Sequence, residues 1–102
     1  MDIVTYGEFE EKVLGADGSV LVDFYASWCG PCRTMTPVVN ELAEAGGFSV
    51  YKVDVDKVTE AADRFGVASV PTFVAFRNGT ETARLVGTAS KHKLIELMDK
   101  VR

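Results

Sequence analysis

The sequence predicts an α/β fold in which a mixed central β-sheet is flanked by helices on both faces. Three observations support this prediction. Segments of strand character alternate with segments of helical periodicity, as is typical of parallel β-α-β units. Asn78-Gly79 separates two short strand-like runs, and this dipeptide favours a tight hairpin and hence an antiparallel pair. The length of 102 residues suits one domain, predicted to span residues 1–102.

The predicted strands differ in how deeply they are buried. Residues 20–26 are continuously β-branched, aromatic or aliphatic except for one acid, which predicts a strand buried on both faces. Residues 50–55 and 72–77 also have strand character, whereas the more polar run 80–86 suits an edge strand. A short further strand is predicted at residues 3–4.

Four helices are predicted from apolar spacing and end signals. Thr5 and Glu8 have the spacing of a capping box before the first helix, and Ser90 is a suitable N-cap for the last. Gly46-Gly47 ends the long second helix. The helices are expected at about 6–13, 31–45, 58–65 and 91–101.

Composition excludes several function classes. The net charge is −4 and the 11 lysines and arginines are scattered, which argues against a nucleic-acid-binding surface. No apolar run approaches the roughly 20 residues that a membrane helix needs. The sequence begins Met1-Asp2-Ile3-Val4-Thr5, without a basic segment followed by an apolar one, so we expect no secretory signal and a cytoplasmic protein.

The chain has two cysteines, three positions apart, which indicate redox chemistry or half of a metal site.

The cysteines lie in Trp28-Cys29-Gly30-Pro31-Cys32, where the buried strand is followed by the long helix. Pro31 suits a first helical turn, where its missing N–H is no loss, so Cys29 is predicted at the helix N-terminus. Unpaired N–H groups and the helix dipole there stabilise a thiolate, the reactive form of cysteine. Cys32 lies one turn on at roughly 5 Å, a separation that suits a disulfide. We expect Cys29 to be the exposed attacking thiol and Cys32 the shielded resolving thiol.

Two other uses of the cysteine pair are a metal site and a structural crosslink. A tetrahedral zinc site needs four ligands, whereas the single histidine, His92, is distant in sequence and no second Cys-x-x-Cys exists. A purely structural disulfide would close a loop of only two residues and would constrain the unfolded chain little. We therefore expect no metal and a redox-active pair.

Asp23 is the acid that interrupts the buried strand, between Val20-Leu21-Val22 and Phe24-Tyr25-Ala26. Burial disfavours the charged form of a carboxylate, so we expect the pKa of Asp23 to be raised. The alternative is that Asp23 lies at a solvated end of the strand.

Several segments resemble thioredoxins, in the order in which that family has them. They are Val22-Asp23-Phe24-Tyr25-Ala26-Ser27-Trp28-Cys29-Gly30-Pro31-Cys32, Lys52-Val53-Asp54-Val55-Asp56, Val70-Pro71-Thr72, Phe76-Arg77-Asn78-Gly79 and Val86-Gly87. The similarity spans essentially the whole chain and implies the thioredoxin fold. Gly-Pro between the cysteines resembles the reducing members, whereas oxidising relatives commonly have a histidine in place of the proline. The resemblance therefore implies a protein disulfide reductase.

The resemblance also implies a mechanism and partners. Cys29 attacks a substrate disulfide and Cys32 resolves the mixed disulfide. Asp23 accepts the proton of Cys32, with Lys52 nearby to modulate Asp23. A thioredoxin reductase, a flavin enzyme that uses NADPH, resets the oxidised pair, and the domain itself binds no cofactor. The other partners implied are disulfide-containing proteins, and the chain is expected to be a monomer.

A substrate-binding surface follows from the same resemblance. Val70-Pro71-Thr72 resembles the family's cis-proline loop, so the Val70–Pro71 bond is expected to be cis. The backbone of the substrate is expected to pair as a strand with Val70. Trp28 suits an apolar docking face beside the cysteines. The small or apolar residues expected to surround the contact are Gly30, Pro31, Val70 and Gly87.

Three departures from common family residues bear on partner choice. Tyr25 stands where many members have a second tryptophan, Arg33 where lysine is frequent, and Ala68-Ser69 where Arg-Gly is common. Two further functions stay open at this point: a binding subunit that grips a partner without turnover, and a disulfide isomerase or oxidant. A binding subunit would not require both cysteines, so their joint presence favours an enzyme.

Overall fold

The computed structural model describes residues 1–101, whose five strands form one mixed sheet in the spatial order β1-β3-β2-β4-β5. Strands β1 (Asp2–Ile3), β2 (Ser19–Tyr25) and β3 (Ser49–Asp54) run parallel. Strand β4 (Thr72–Arg77) runs antiparallel to β2 and to β5 (Thr80–Val86), which forms one edge of the sheet. The predicted mixed sheet and edge strand are therefore confirmed.

The helices lie close to their predicted positions. Helix α1 (Tyr6–Phe9) continues as a π-helical segment (Glu10–Leu14), followed by α2 (Gly30–Ala45), α3 (Thr59–Arg64) and α4 (Lys91–Asp99). The first helix is thus less regular than its apolar spacing predicts. No helix within residues 1–101 has the length and apolar character needed to span a bilayer.

Helix ends follow the capping signals of the sequence. The hydroxyl of Thr5 accepts a hydrogen bond from the Glu8 N–H at 3.1 Å, and that of Ser90 accepts one from the Lys93 N–H at 3.2 Å. Gly46 ends α2 with a φ of 76°, a conformation that glycine adopts without steric penalty. Local chemistry therefore sets these boundaries.

The core has two halves, one on each face of the sheet. One half packs α1 and α3 against the sheet, and the other packs α2 and α4 against it. Strand β2 contributes to both, and its residues 20–24 are all at most 2% exposed. Complete burial of each large apolar side chain stabilises the fold by roughly 1.5–3 kcal/mol. The prediction of a strand buried on both faces is confirmed.

The β4–β5 hairpin turns at Asn78-Gly79, as predicted. Both residues have positive φ, 50° for Asn78 and 80° for Gly79, as a type I′ turn requires. The side-chain oxygen of Asn78 accepts a hydrogen bond from the Gly18 N–H at 2.7 Å. A Cβ on Gly79 would overlap the carbonyl oxygen of Leu14, so only glycine fits here. The turn is thereby fixed against the end of the first helical segment.

The loops that follow β2 and β3 and the loop that precedes β4 meet at one end of these strands. The ends of β2 and β3 are joined there by a hydrogen bond from the Val55 N–H to the Tyr25 carbonyl at 2.9 Å. Phe24, near the end of β2, pairs with Thr72 at the start of the antiparallel β4. The segment leading to the cysteines therefore lies beside the Val70-Pro71 loop that precedes β4.

Candidate active site

Cys29 is the N-cap of α2, as the sequence predicts. Its backbone is extended, and its Sγ accepts a hydrogen bond from the Cys32 N–H at 3.1 Å. Cys29 and Cys32 form a disulfide with a Cα separation of 5.2 Å, close to the predicted value. Because the same N–H and the helix dipole would stabilise negative charge on Cys29, this position favours its thiolate in the reduced protein.

The expected difference in exposure between the two cysteines is wrong for this disulfide form. Cys29 is 4% exposed and Cys32 is 5% exposed. The cause is packing: both sulfur-bearing residues form a small cluster with Ala26, against which Tyr25 and Val70 also pack. Position at the helix terminus, and not exposure, is therefore what distinguishes the two thiols.

Asp23 lies in the middle of β2 and is 2% exposed, so the alternative of a solvated strand end is wrong. Its Oδ1 is buried and has no hydrogen-bond partner among residues 1–101. Burial raises the pKa of Asp23 to about 7, against the opposing attraction of Lys52 and with a further upward contribution from Asp2. The carboxyl therefore titrates near neutral pH, as general acid–base chemistry requires.

Lys52 is brought beside Asp23 by strand register, since the two are directly paired across β2 and β3. Its side chain is half-buried, as is also common for a surface lysine that packs its aliphatic part and keeps its ammonium group in solvent. The Nζ atom, however, lies 4.6 Å from the centre of the Tyr25 ring. Lys52 therefore contributes positive charge to the surroundings of Asp23.

The Val70–Pro71 peptide bond is cis, which confirms the expectation from the family resemblance. The carbonyl oxygen of Val70 lies 3.8 Å from the Cys29 Sγ. The carbonyl of Pro71 accepts a hydrogen bond from the Gly87 N–H at 2.8 Å. The structure thus places Val70 at the disulfide and links Pro71 to Gly87 by a hydrogen bond, while Gly30 and Pro31 are exposed in the first turn of α2.

A groove of about 340 Å³ opens next to the cysteines. Its lining residues are Trp28, Val55, Val67, Ala68, Ser69 and Val70. The Trp28 side chain is prominent, because the residue is 68% exposed, and its indole N–H donates to the Asp56 carboxylate at 2.8 Å. Sequence reasoning missed Asp56 as a partner of Trp28, since only the tertiary fold places these residues together.

The described part of the chain offers no metal site: within residues 1–101, no three His, Cys, Asp or Glu side chains are grouped so that they could hold an ion. His92, the remaining candidate nitrogen ligand, is exposed on α4 and pairs with Glu96 at 2.9 Å.

Comparison with known proteins agrees with this geometry. The family model described as Thioredoxin matches residues 1–100. The thioredoxin of Chlamydia muridarum is 42% identical over 101 residues, covering 98% of this chain and 97% of that protein. The chloroplastic M-type thioredoxin of Pisum sativum is 37% identical over 98% of this chain, which spans 59% of that longer protein.

Solved structures agree as well. A mutant thioredoxin from Halobacterium salinarum NRC-1 superimposes with a TM-score of 0.91 at 37% identity. The match covers 99% of this chain and 88% of that one. This agreement of the backbones confirms the fold class predicted from the sequence.

Proposed function

Because the chain belongs to the thioredoxin family, whose members are thiol–disulfide oxidoreductases, we propose that it reduces disulfide bonds in other proteins. The observation that carries this proposal is the position of Cys29 as the N-cap of α2, with the Cys32 N–H 3.1 Å from its sulfur. The Cys29-Gly30-Pro31-Cys32 sequence supports reduction as the direction of the reaction.

The first step is attack by the Cys29 thiolate on one sulfur of a substrate disulfide. A bond forms between Cys29 and that sulfur, the substrate disulfide breaks, and the other substrate sulfur leaves as a thiolate. The helix terminus stabilises the attacking thiolate before the reaction. Cys29 is therefore the nucleophile of the proposed mechanism.

The second step needs a proton acceptor for Cys32. A pKa of about 7 allows Asp23 to take that proton near neutral pH, directly or through one water molecule. The Cys32 thiolate then attacks the Cys29 sulfur, and the second substrate sulfur leaves as a thiolate. Two electrons have passed to the substrate, and Cys29–Cys32 is the disulfide seen in the structure. Lys52 modulates this step through its charge on Asp23.

Substrate docking is proposed at the surface around the disulfide. An extended substrate segment would pair with the Val70 backbone beside Pro71, since this carbonyl lies next to the Cys29 sulfur. Trp28, which lines the groove, would pack against apolar side chains of the substrate. Gly30, Pro31 and Gly87 would let the substrate backbone approach closely.

The oxidised protein would be reset by a thioredoxin reductase that takes electrons from NADPH through a flavin. We further propose that residues 1–102 form one domain, which the family match over residues 1–100 supports. We also propose that this domain works as a monomer without a bound cofactor. A cytoplasmic location is proposed on the likeness to a bacterial thioredoxin, although a chloroplastic protein is among the relatives as well.

An insulin-reduction assay with a small dithiol tests the proposed function. We expect the protein to accelerate precipitation of the insulin B chain and the Cys29→Ser variant to be inactive, whereas a binding subunit would give no acceleration with either. Measurement of the reduction potential separates reductant from oxidant. A value near the roughly −270 mV characteristic of thioredoxins supports the proposal, and one near the roughly −120 mV of a strong oxidant contradicts it.

A further inference from the structure

The sheet face that carries Asp23 holds a row of charged side chains in register. Asp2 pairs with Lys52 across β1 and β3, and Lys52 pairs with Asp23 across β3 and β2. In the next row, two residues further along the same strands, Asp54 pairs with Tyr25. Because residues two apart on a strand point to the same face, all five side chains share one side of the sheet.

Lys52 is positioned within this row by an aromatic ring. None of the ion pairs within residues 1–101 includes Lys52, so neither flanking carboxylate holds its ammonium directly. The Nζ atom instead lies 4.6 Å from the centre of the Tyr25 ring, well inside the roughly 6 Å range of a cation–π interaction. Tyr25 also packs against the cluster that contains Cys29 and Cys32.

We propose that Tyr25 is a positioning residue for the reaction: its ring holds the Lys52 ammonium beside Asp23 and so determines how strongly that positive charge acts on the Asp23 carboxylate. The inference rests on the proposed role of Asp23 as proton acceptor for Cys32. Tyr25 stands where many thioredoxins have a second tryptophan, and the resemblance alone assigns no role to this residue.

The electrostatics have a definite sign. Burial raises the pKa of Asp23, Lys52 lowers it and Asp2 raises it further. Removal of the ring leaves the Lys52 side chain free to extend into solvent or toward the exposed Asp2, on the far side from Asp23. The pKa of Asp23 then rises, because its nearest positive charge has moved away while its burial remains.

The ring stays neutral while Asp23 titrates. Burial raises the pKa of Tyr25 above its ordinary value, and the carboxylates of Asp2, Asp54 and Asp23 raise it further. The π face is therefore available to Lys52 over the whole range in which Asp23 gains or loses its proton. On the β4 side, Asp23 is paired with the apolar Phe73, which belongs to the same core cluster as Met35 and Val39 of α2.

The test is a titration of the Asp23 carboxyl carbon by NMR in the oxidised protein, where the cysteines do not titrate. Tyr25→Phe keeps the ring and is the matched control, whereas Tyr25→Leu removes it. We expect the pKa of Asp23 to be unchanged in Tyr25→Phe and to rise by roughly half to one pH unit in Tyr25→Leu. Tyr25→Met, a second side chain without a ring, replaces Tyr25→Leu if that variant does not fold.

A Lys52→Met background separates the proposal from a simple packing effect. If Tyr25 acts through Lys52, Tyr25→Leu should shift the Asp23 titration in the presence of Lys52 and not in its absence. An equal shift in both backgrounds, or none in either, overturns the proposal. These titrations need no turnover, so a wild-type protein that fails to reduce insulin would contradict the proposed function alone.

A kinetic measurement extends the test to the reaction. In single-turnover reduction of a disulfide, the pH midpoint for resolution of the mixed disulfide should move upward in Tyr25→Leu by the same amount as the Asp23 titration. A midpoint that stays in place while the titration moves would show that the ring does not act on the reaction, and would contradict the positioning role.

Discussion

Replacement of Asp23 by alanine should remove a pH-dependent part of the stability. Folding raises the pKa of this carboxyl from its ordinary value of 3.8 to about 7, mainly through burial. Between these values the native state holds more protons than the unfolded state, so the free energy of unfolding falls as pH rises and levels off above about pH 7. With about 1.4 kcal/mol for each pKa unit, the loss amounts to about 4 kcal/mol.

The assay is urea denaturation of the oxidised wild type and of Asp23→Ala at intervals from pH 4 to pH 9. Loss of side-chain packing in the variant is independent of pH, so the difference in unfolding free energy between the two proteins isolates the ionisation. We expect that difference to change by about 4 kcal/mol in favour of the variant as pH rises. Asp54→Asn, which alters a second buried acid on the neighbouring strand and leaves Asp23 in place, is the control that should retain the slope.

A difference that stays constant across this range to within about 1 kcal/mol would refute the reasoning, because Asp23 would then have the same proton affinity in both states. The same variant should resolve a mixed disulfide more slowly, since Cys32 loses its proposed proton acceptor. Stability and rate are therefore expected to move in opposite directions above pH 7, and a destabilised variant with unchanged kinetics would make Asp23 purely structural.

Three further predictions use other parts of the site and fold. Cys32→Ser should accumulate a mixed disulfide with substrate proteins on non-reducing gels, whereas Cys29→Ser should trap none; equal trapping would reverse or remove the assigned roles. Gly79→Ala should lower the unfolding free energy by roughly 1–3 kcal/mol more than Gly66→Ala, because both have positive φ but only the former also creates a backbone overlap; similar melts would argue against that contact. Trp28→Ala should raise KM for a protein disulfide with little change in stability, since the residue is 68% exposed, and an unchanged KM would exclude it from docking.

Much of the site was predictable because its chemistry is local. Pro31 and the cysteine spacing predict a helix that begins at the cysteines, and the structure has α2 begin at Gly30 with Cys29 as its cap. The apolar neighbours of Asp23 predict its burial, and the residue is 2% exposed. In both cases the deciding neighbours lie within a few residues in the chain, so sequence pattern carries the information.

Other features were missed or wrong because they depend on residues distant in sequence. Cys29 is covered by packing that includes Val70, 41 positions away, so its position at a helix terminus did not predict its exposure. The bond between Trp28 and Asp56 joins two loops that only the sheet brings together. The spacing of apolar residues describes one helix or strand at a time and gives no information on contacts between elements.

The order of the strands and helices, the capped helix ends and the start of a helix at the cysteines were all predictable from the sequence. These follow from side-chain spacing, capping groups and backbone restrictions that act within one or two turns of chain. The family resemblance implied that Lys52 is near Asp23, but the positions of Asp2 and Tyr25 relative to that pair follow from strand pairing. Strand register sets Asp2 and Lys52 in one row with Asp23, and the ring of Tyr25 lies under the lysine. Electrostatic interaction depends on distance through space, and these distances exist only once the strands are paired.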